Sequence, residues 1–147
     1  MNLTNMEKIY SRKEPDKILQ ILFSASDIPE GGEKLVRQEF TPPESNLQAL
    51  GHYLSKGNVI KPHTHNPIDR FTKTTQEGIV IIEGTIELSI YDLDNLLIET
   101  RILRAGDCAL MQHGGHKFTI IDDAKFFEFK NGPYMGKMKD MTPIYDY

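Results

Sequence analysis

The sequence predicts an all-β domain built as an antiparallel sandwich or barrel. Residues 85–91 alternate strictly between polar and apolar side chains, which is the period of a strand with one buried face. Residues 79–82 read Ile-Val-Ile-Ile, and β-branched residues of this kind favour strands. Gly, Asp and Asn recur between such runs and predict turns. The pattern predicts about eight strands and little helix.

Residues 1–46 are expected to form an N-terminal extension that packs on the barrel or on a partner subunit. Pro15 stands at a plausible first helical position, and the apolar residues from Ile18 to Phe23 have helical spacing. The same run is compatible with a short strand, so the extension is expected to contain at most one helix. Prolines and glycines predict turns at Pro29 to Gly32 and at Pro42-Pro43.

The barrel itself is expected over residues 47–135, followed by a C-terminal tail over residues 136–147. Short β-prone runs recur from Leu47 onward and are separated by turn residues. The predicted strands cover residues 47–56, 79–82, 85–91, 96–103, 108–112, 117–121 and 125–129. No linker suggests a second domain, and 147 residues suit a single one.

Composition excludes several classes of partner. The net charge is -4 and the basic residues are scattered, so neither nucleic acid nor an anionic membrane is expected to bind. No apolar stretch approaches the ~20 residues that cross a bilayer, and the first residues lack the apolar core of a signal peptide. A cytoplasmic location is therefore expected. The single cysteine, Cys108, follows Gly106-Asp107 in an apolar run and is expected to be a small buried hydrophobe rather than a reactive thiol.

Four of the five histidines fall in two tight pairs, and His52 stands apart. His63 and His65 are two residues apart, so on a strand both rings would leave the same face. Imidazole nitrogen is a good ligand for several transition metals, and two rings on one face can share an ion. The second pair is His113 and His116. Two surface histidines beside prolines would be the alternative explanation of the first pair.

Two glycine-bounded motifs frame these histidines. The residues of the first motif are Gly57, His63, His65, Glu77 and Gly84, and the second motif runs from Gly106-Asp107 to His116. These motifs resemble the two sequence motifs of the cupin family. The resemblance covers roughly residues 47–129. It implies a cupin jelly-roll barrel, which is a double-stranded β-helix.

The resemblance also implies a metal site. It assigns one divalent metal ion to His63, His65, Glu77 and His116. Iron, zinc, manganese or nickel would each suit three imidazoles and a carboxylate. Such a ligand set leaves open positions for water, substrate or dioxygen.

Departures from the family pattern leave alternatives open. Eleven residues separate His65 from Glu77, and Asp69 lies at the family's usual glutamate spacing, so Asp69 is a rival ligand. Gln112 stands where the family has a proline. His113 is the fallback for the last histidine ligand if the turn is drawn differently.

By the same resemblance, we expect a metal-binding cupin, a metalloenzyme of oxygenase or isomerase type that acts on a small molecule in the barrel mouth. The alternatives are a non-catalytic cupin that binds a small ligand or metal, and a metal-free sugar isomerase or epimerase. Gly114-Gly115-His116 and residues 130–134 are similar to small cupins of bacterial polysaccharide and sugar-nucleotide pathways.

The surroundings of the site and the assembly are also expectations. Glu128 and Lys130 have the spacing of residues on one strand face and are candidate cavity groups, and Arg70 could pair with an anionic substrate. A homodimer is expected, because cupins commonly cover open sheet edges by pairing.

Overall fold

A computed structural model describes residues 5–31 and 36–145 of the chain. Its strands are β1 (Glu7–Tyr10), β2 (Ile18–Ser24), β3 (Val36–Glu39), β4 (Leu50–Tyr53), β5 (Glu77–Tyr91), β6 (Leu97–Arg104), β7 (Asp107–Met111) and β8 (Gly115–Lys130). A single 3-10 turn, Ala25–Asp27, and the short helix α1 (Lys137–Asp140) complete the described elements. Residues 1–4 and 32–35 of the predicted extension, with Gly32 of the predicted turn, and residues 146–147 of the predicted tail lie outside the described residues.

The run that has helical spacing after Pro15 is a strand. β2 pairs antiparallel with β1 on one edge and with β7 on the other. Leu19, Ile21 and Leu22 are all fully buried, so both faces of β2 are covered. A strand buried on both faces does not alternate between polar and apolar residues, and its periodicity cannot be told from that of a buried helix. The extension therefore contributes two strands to the main sheet.

The central strand β5 joins two predicted strands into one of 15 residues. The turn predicted at Gly84 is instead a bend, because Gly84 has a φ of +83°. A side chain on this glycine would collide with the backbone carbonyl oxygen of Asp123 on β8. β8 likewise joins the predicted strands 117–121 and 125–129 into one, so it follows β5 around the bend.

The main sheet is organised around the two edges of β5. One edge pairs with β8 along its length, with register shifts at the bend. The other edge pairs with β7 at Glu77–Val80 and with β6 at Thr85–Tyr91. Beyond β7 the order continues through β2 to β1, which gives a six-stranded antiparallel sheet.

The hydrophobic core lies on the inner face of this sheet. Its β5 members are Ile79, Ile81, Ile86, Leu88 and Ile90. These core members are odd-numbered before the bend and even-numbered after it, because the irregular pairing near Gly84 shifts the register. Ser89 and Tyr91 are also buried, so the end of β5 is covered on both faces. Leu103 of β6 and Ala109 and Met111 of β7 pack in the same cluster.

A second sheet holds only β3 and β4. It lies near β2, where the rings of Phe23 and Phe40 stack with centroids 4.3 Å apart. The chain is mostly antiparallel β structure, as the sequence predicts, with one short α-helix among the residues described. The described strands form an open six-stranded sheet and a two-stranded sheet rather than a closed barrel, and the cupin jelly roll stays a prediction. Within the same part of the chain, no helix is long and apolar enough to span a bilayer.

Candidate ligand-binding site

The register of the main sheet places two charged residues on its inner face. Glu77 of β5 lies opposite Met111 of β7 on one side and opposite Lys130 of β8 on the other. Met111 in turn lies opposite Gln20 of β2. Because cross-strand partners point to the same face, these four side chains form one row across the sheet. The end of the apolar face therefore carries a carboxylate and an ammonium group.

His116 lies at the opposite end of β8 from Lys130, and its side chain reaches Glu77 of this row. It lies opposite the buried Ile90, so its ring faces inward. The tight turn before His116 requires a glycine at position 114. Gly114 has a φ of +70°, and any side chain there would collide with the carbonyl oxygen of Tyr91. The backbone N–H of Gln112 donates to the carbonyl oxygen of Leu19 at 2.8 Å and fixes the same turn to β2.

Glu77 and His116 form the polar centre of the site. His116 Nε2 lies 3.5 Å from Glu77 Oε1, and Lys130 Nζ lies 3.9 Å from Glu77 Oε2. The hydrogen bond from His116 lowers the pKa of Glu77; burial opposes this effect, and the charges of His116 and Lys130 add to it. The hydrogen bond to Glu128, 2.9 Å away, raises the pKa of Lys130. At neutral pH the centre thus holds a carboxylate beside an ammonium group.

These residues line a cavity of about 410 Å³. A volume of this size accommodates a small organic molecule. Met111 forms part of its wall from β7, and the segment after β8 contributes Pro133 and Tyr134. Lys130 Nζ lies 5.7 Å from the centre of the Tyr134 ring. The cavity therefore combines charged groups with apolar and aromatic walls, which is the usual composition of a small-molecule site.

The remaining two histidines of the predicted metal set lie elsewhere. We call residues 54–76, which join β4 to β5 without a strand, the arm. Every residue of the arm from position 56 to position 73 is exposed, including His63, His65 and Asp69. The rings of His63 and His65 are 5.3 Å apart, and His63 Nδ1 lies 2.8 Å from the carbonyl oxygen of Lys61.

The structure thus brings Glu77 and His116 together but does not bring His63 and His65 to them. Across residues 5–31 and 36–145, no three His, Cys, Asp or Glu side chains are placed to hold a metal ion. The four-residue ligand set stays a prediction.

The other sequence candidates have local partners. His113 lines the cavity, but its Nδ1 lies 2.9 Å from the carbonyl oxygen of Ile18, which favours a structural role. Gln112, at the position of the family's proline, is buried and donates from Nε2 to Ser45 Oγ at 2.9 Å. Arg70 lies in the exposed arm and donates to the carbonyl oxygen of Ile68.

Two residues near the site were missed from the sequence. Gln20 is completely buried, and neither atom of its amide has a hydrogen-bond partner among the described residues. In the sequence, Gln20 interrupts the apolar run from Ile18 to Phe23, which is a signal for a buried polar residue if the run is a strand covered on both faces. Interpreted as a helix, the run leaves Gln20 on no particular face. In the sequence, Tyr134 is only part of the segment 130–134 that is similar to small cupins. Its place in the cavity wall depends on how the chain turns after β8.

Comparison with known proteins adds no relative: no protein-family model, no curated protein and no solved structure matches this chain. Fold and site together define an antiparallel β protein with a charged cavity. Its function has to be argued from the cavity itself.

Proposed function

We propose that this chain binds a small polyhydroxylated carbonyl compound in the cavity and moves protons on it, as an isomerase or epimerase. The observation that carries the proposal is the 3.5 Å pairing of Glu77 Oε1 with His116 Nε2 in a cavity that also holds Lys130. A histidine oriented by a carboxylate is a common general base.

The proposed chemistry follows from the charges of the site. If His116 donates its Nε2 proton to the Glu77 carboxylate, its Nδ1 is the basic nitrogen. That nitrogen would accept the proton from a carbon next to the carbonyl, and Glu77 would stabilise the imidazolium that forms. The ammonium group of Lys130 would stabilise the enolate oxygen. Return of the proton to the opposite face of the same carbon completes epimerisation. For isomerisation, the hydroxyl proton on that carbon moves to the enolate oxygen and the carbon-bound proton returns to the former carbonyl carbon; neither route requires an oxidant.

The cavity also indicates the kind of ligand. Among the lining residues, Glu77 accepts hydrogen bonds from hydroxyl groups, and Lys130 donates to oxygen. Tyr134 offers an aromatic face on which a sugar ring can pack. These groups favour a sugar-sized molecule over a purely apolar one.

Exchange of substrate hydrogen with solvent tests the proposal directly. The protein is incubated in D2O with a panel of ketoses, 2-hydroxy ketones and keto-sugar nucleotides, and deuterium next to the carbonyl is followed by NMR. We expect exchange with at least one compound, and a loss of about 100-fold or more in a His116→Gln variant. A Glu77→Gln variant should also lose activity, because the imidazole would no longer be oriented by a charge.

The matched control is Glu83→Gln. Glu83 lies on the same strand as Glu77 and also pairs with a β8 lysine, Lys125, at 2.8 Å, but both side chains are exposed. This variant should exchange at the wild-type rate. Full activity in His116→Gln would contradict the assignment of the base. Binding of a compound without exchange would favour a non-catalytic binding protein.

A divalent metal centre is the second candidate function. Two donor atoms that are each ~2.1 Å from one ion in tetrahedral geometry lie ~3.4 Å apart, and the two facing atoms of Glu77 and His116 are 3.5 Å apart. An ion there would act as a Lewis acid. His63 and His65 would have to reach it from the arm.

Metal content measured on protein purified without an affinity tag tests this candidate. We expect about one ion per chain, lost in a His63→Ala, His65→Ala variant and in Glu77→Gln but kept in Asp69→Asn. Loss only in Asp69→Asn would make Asp69 the carboxylate ligand. A metal-free protein that takes up none on reconstitution would eliminate the metal centre and leave the acid–base proposal standing.

A further inference from the structure

We propose that the arm docks on a second copy of this chain and covers the cavity of that copy, so that two copies exchange arms. The proposal deepens the site of the proposed function by supplying a missing wall and two more histidines. It does not depend on catalysis or on metal binding.

The arm carries apolar side chains that the isolated chain leaves in water. The exposed fractions are 79% for Val59, 59% for Ile60, 64% for Ile68 and 92% for Phe71. Single exposed apolar residues are ordinary, but four on one connecting segment without a strand indicate a surface that another surface covers.

Charge complementarity supports a second copy as the partner. The arm holds four basic residues and one acidic residue, which gives it a net charge of +3. Since the whole chain carries -4, the remainder of each copy carries -7. The arm of one copy is therefore attracted to the body of another and repelled by its arm.

The acceptor surface lies beside the cavity. β8 pairs with β5 on one edge, and within the described ranges no strand pairs with its other edge. A strand edge without a neighbouring strand can accept an added strand. His116 and Lys130 both belong to β8, so a strand added here would border the cavity. Residues 58–65 of the arm, in extended form, would turn His63 and His65 to one face.

The arm is held at both ends, and none of its residues 56–73 lines the cavity of its own chain. Tyr53, just before the arm, is held opposite Val36 in the small sheet. At the other end, the backbone N–H of Gln76 donates to Asn131 Oδ1 at 2.7 Å, and its side-chain oxygen accepts from the N–H of Leu47 at 2.8 Å. Between these ends, the 18 residues from position 56 to position 73 are all exposed, and Thr72 Oγ1 accepts a hydrogen bond from Asn46 Nδ2 of the same chain at 2.8 Å. Exchange of arms between two copies would explain why the two arm histidines of the predicted ligand set lie apart from Glu77 and His116 within one chain.

Solution mass is the first test. Light scattering of the full chain should give twice the 16.8 kDa chain mass. Replacing residues 57–72 by a flexible Gly-Ser linker should give the mass of one chain, while a Phe71→Ser variant should dissociate at higher concentration than the wild type. A full chain that is monomeric at working concentration would overturn the proposal.

Cross-linking between two chains tests where the arm docks. In a Cys108→Ser background, His65→Cys chains are mixed with mass-tagged Tyr134→Cys chains and treated with a short bis-maleimide. We expect a covalent product with one chain of each kind, at least tenfold more than with a Glu39→Cys partner, whose thiol would lie on the small sheet away from the cavity. Equal yields for the two partners would overturn the docking site.

An intrachain product from a chain that carries both His65→Cys and Tyr134→Cys, with no product between chains, would show that the arm covers its own cavity. These measurements need neither substrate nor metal. They can therefore fail while the exchange assay succeeds, or succeed while it fails.

Discussion

Gln20 offers the sharpest test of the packing beneath the candidate site. It lies on β2 between Ile9 and Met111 in the cross-strand row that continues to Glu77 and Lys130. Its side chain is 0% exposed, and its amide nitrogen and oxygen both lack a hydrogen-bond partner in the described part of the chain. A buried amide without partners destabilises the folded state, because it has lost its hydrogen bonds to water.

The substitution Gln20→Met keeps the length of the side chain and removes both polar atoms. An unsatisfied buried polar group costs about 1–3 kcal/mol, and a methionine of similar shape adds little strain. We expect the free energy of unfolding to rise by about 2 kcal/mol. With an m value of about 2 kcal/mol/M in urea, the unfolding midpoint should rise by about 1 M.

Urea unfolding followed by circular dichroism measures this change, since the chain has no tryptophan. The control is Gln48→Met, because Gln48 is exposed, and its stability should stay within about 0.5 kcal/mol of the wild type. A midpoint that falls in Gln20→Met would refute the reasoning. It would mean that the amide has a partner in the folded protein, such as a buried water or a ligand.

Two further predictions concern a buried carboxylate and the single thiol. Burial raises the pKa of Asp92, but hydrogen bonds from Ser11 and from the N–H groups of Leu93 and Arg12 outweigh it, so the folded pKa lies below 3.8. The ionised Asp92 carboxylate therefore stabilises the folded state above pH ~4, and this contribution is lost as the pH falls through the folded pKa. Asp92→Asn should lower the free energy of unfolding, measured with urea, by about 1.5 kcal/mol at pH 7 and by less at pH 2.5. An unchanged difference at pH 2.5 would contradict this linkage. Burial raises the pKa of Cys108 from 9.0 to about 11, so iodoacetamide at pH 8 should react about 100-fold more slowly with folded than with urea-unfolded protein; equal rates would show an accessible thiolate.

Much of the strand pattern could be predicted because it depends on local alternation. The hairpin of β5 and β6 follows from the alternating run at residues 85–91 and the turn after it. The β2 strand could not be separated from a helix, since burial on both faces removes the alternation. Gly84 was read as a turn, yet neighbouring β8 keeps β5 continuous through the bend. That outcome depends on a strand more than 20 residues away in sequence.

The candidate site could likewise be predicted only in part from the sequence. Glu77 and His116 were both selected by residue type and motif, and the structure places them 3.5 Å apart. The positions of His63 and His65 could not be predicted, because the path of the arm depends on surfaces that are distant in sequence or belong to another copy. Gln20 was also not predicted, because interpreting its apolar run as a helix hid that a strand covered on both faces would bury it.

The sequence by itself determined that this is a β protein, where most strands from β5 onward lie, and which acidic and histidine side chains could carry chemistry. These properties depend on short-range periodicity and on residue type. Only the tertiary structure decided that β2 enters the main sheet, that Glu77, His116 and Lys130 share one cavity, and that residues 56–73 of the arm stay outside it. Cross-strand register sets these relations, and register is fixed by the packing of whole strands rather than by any local run of residues.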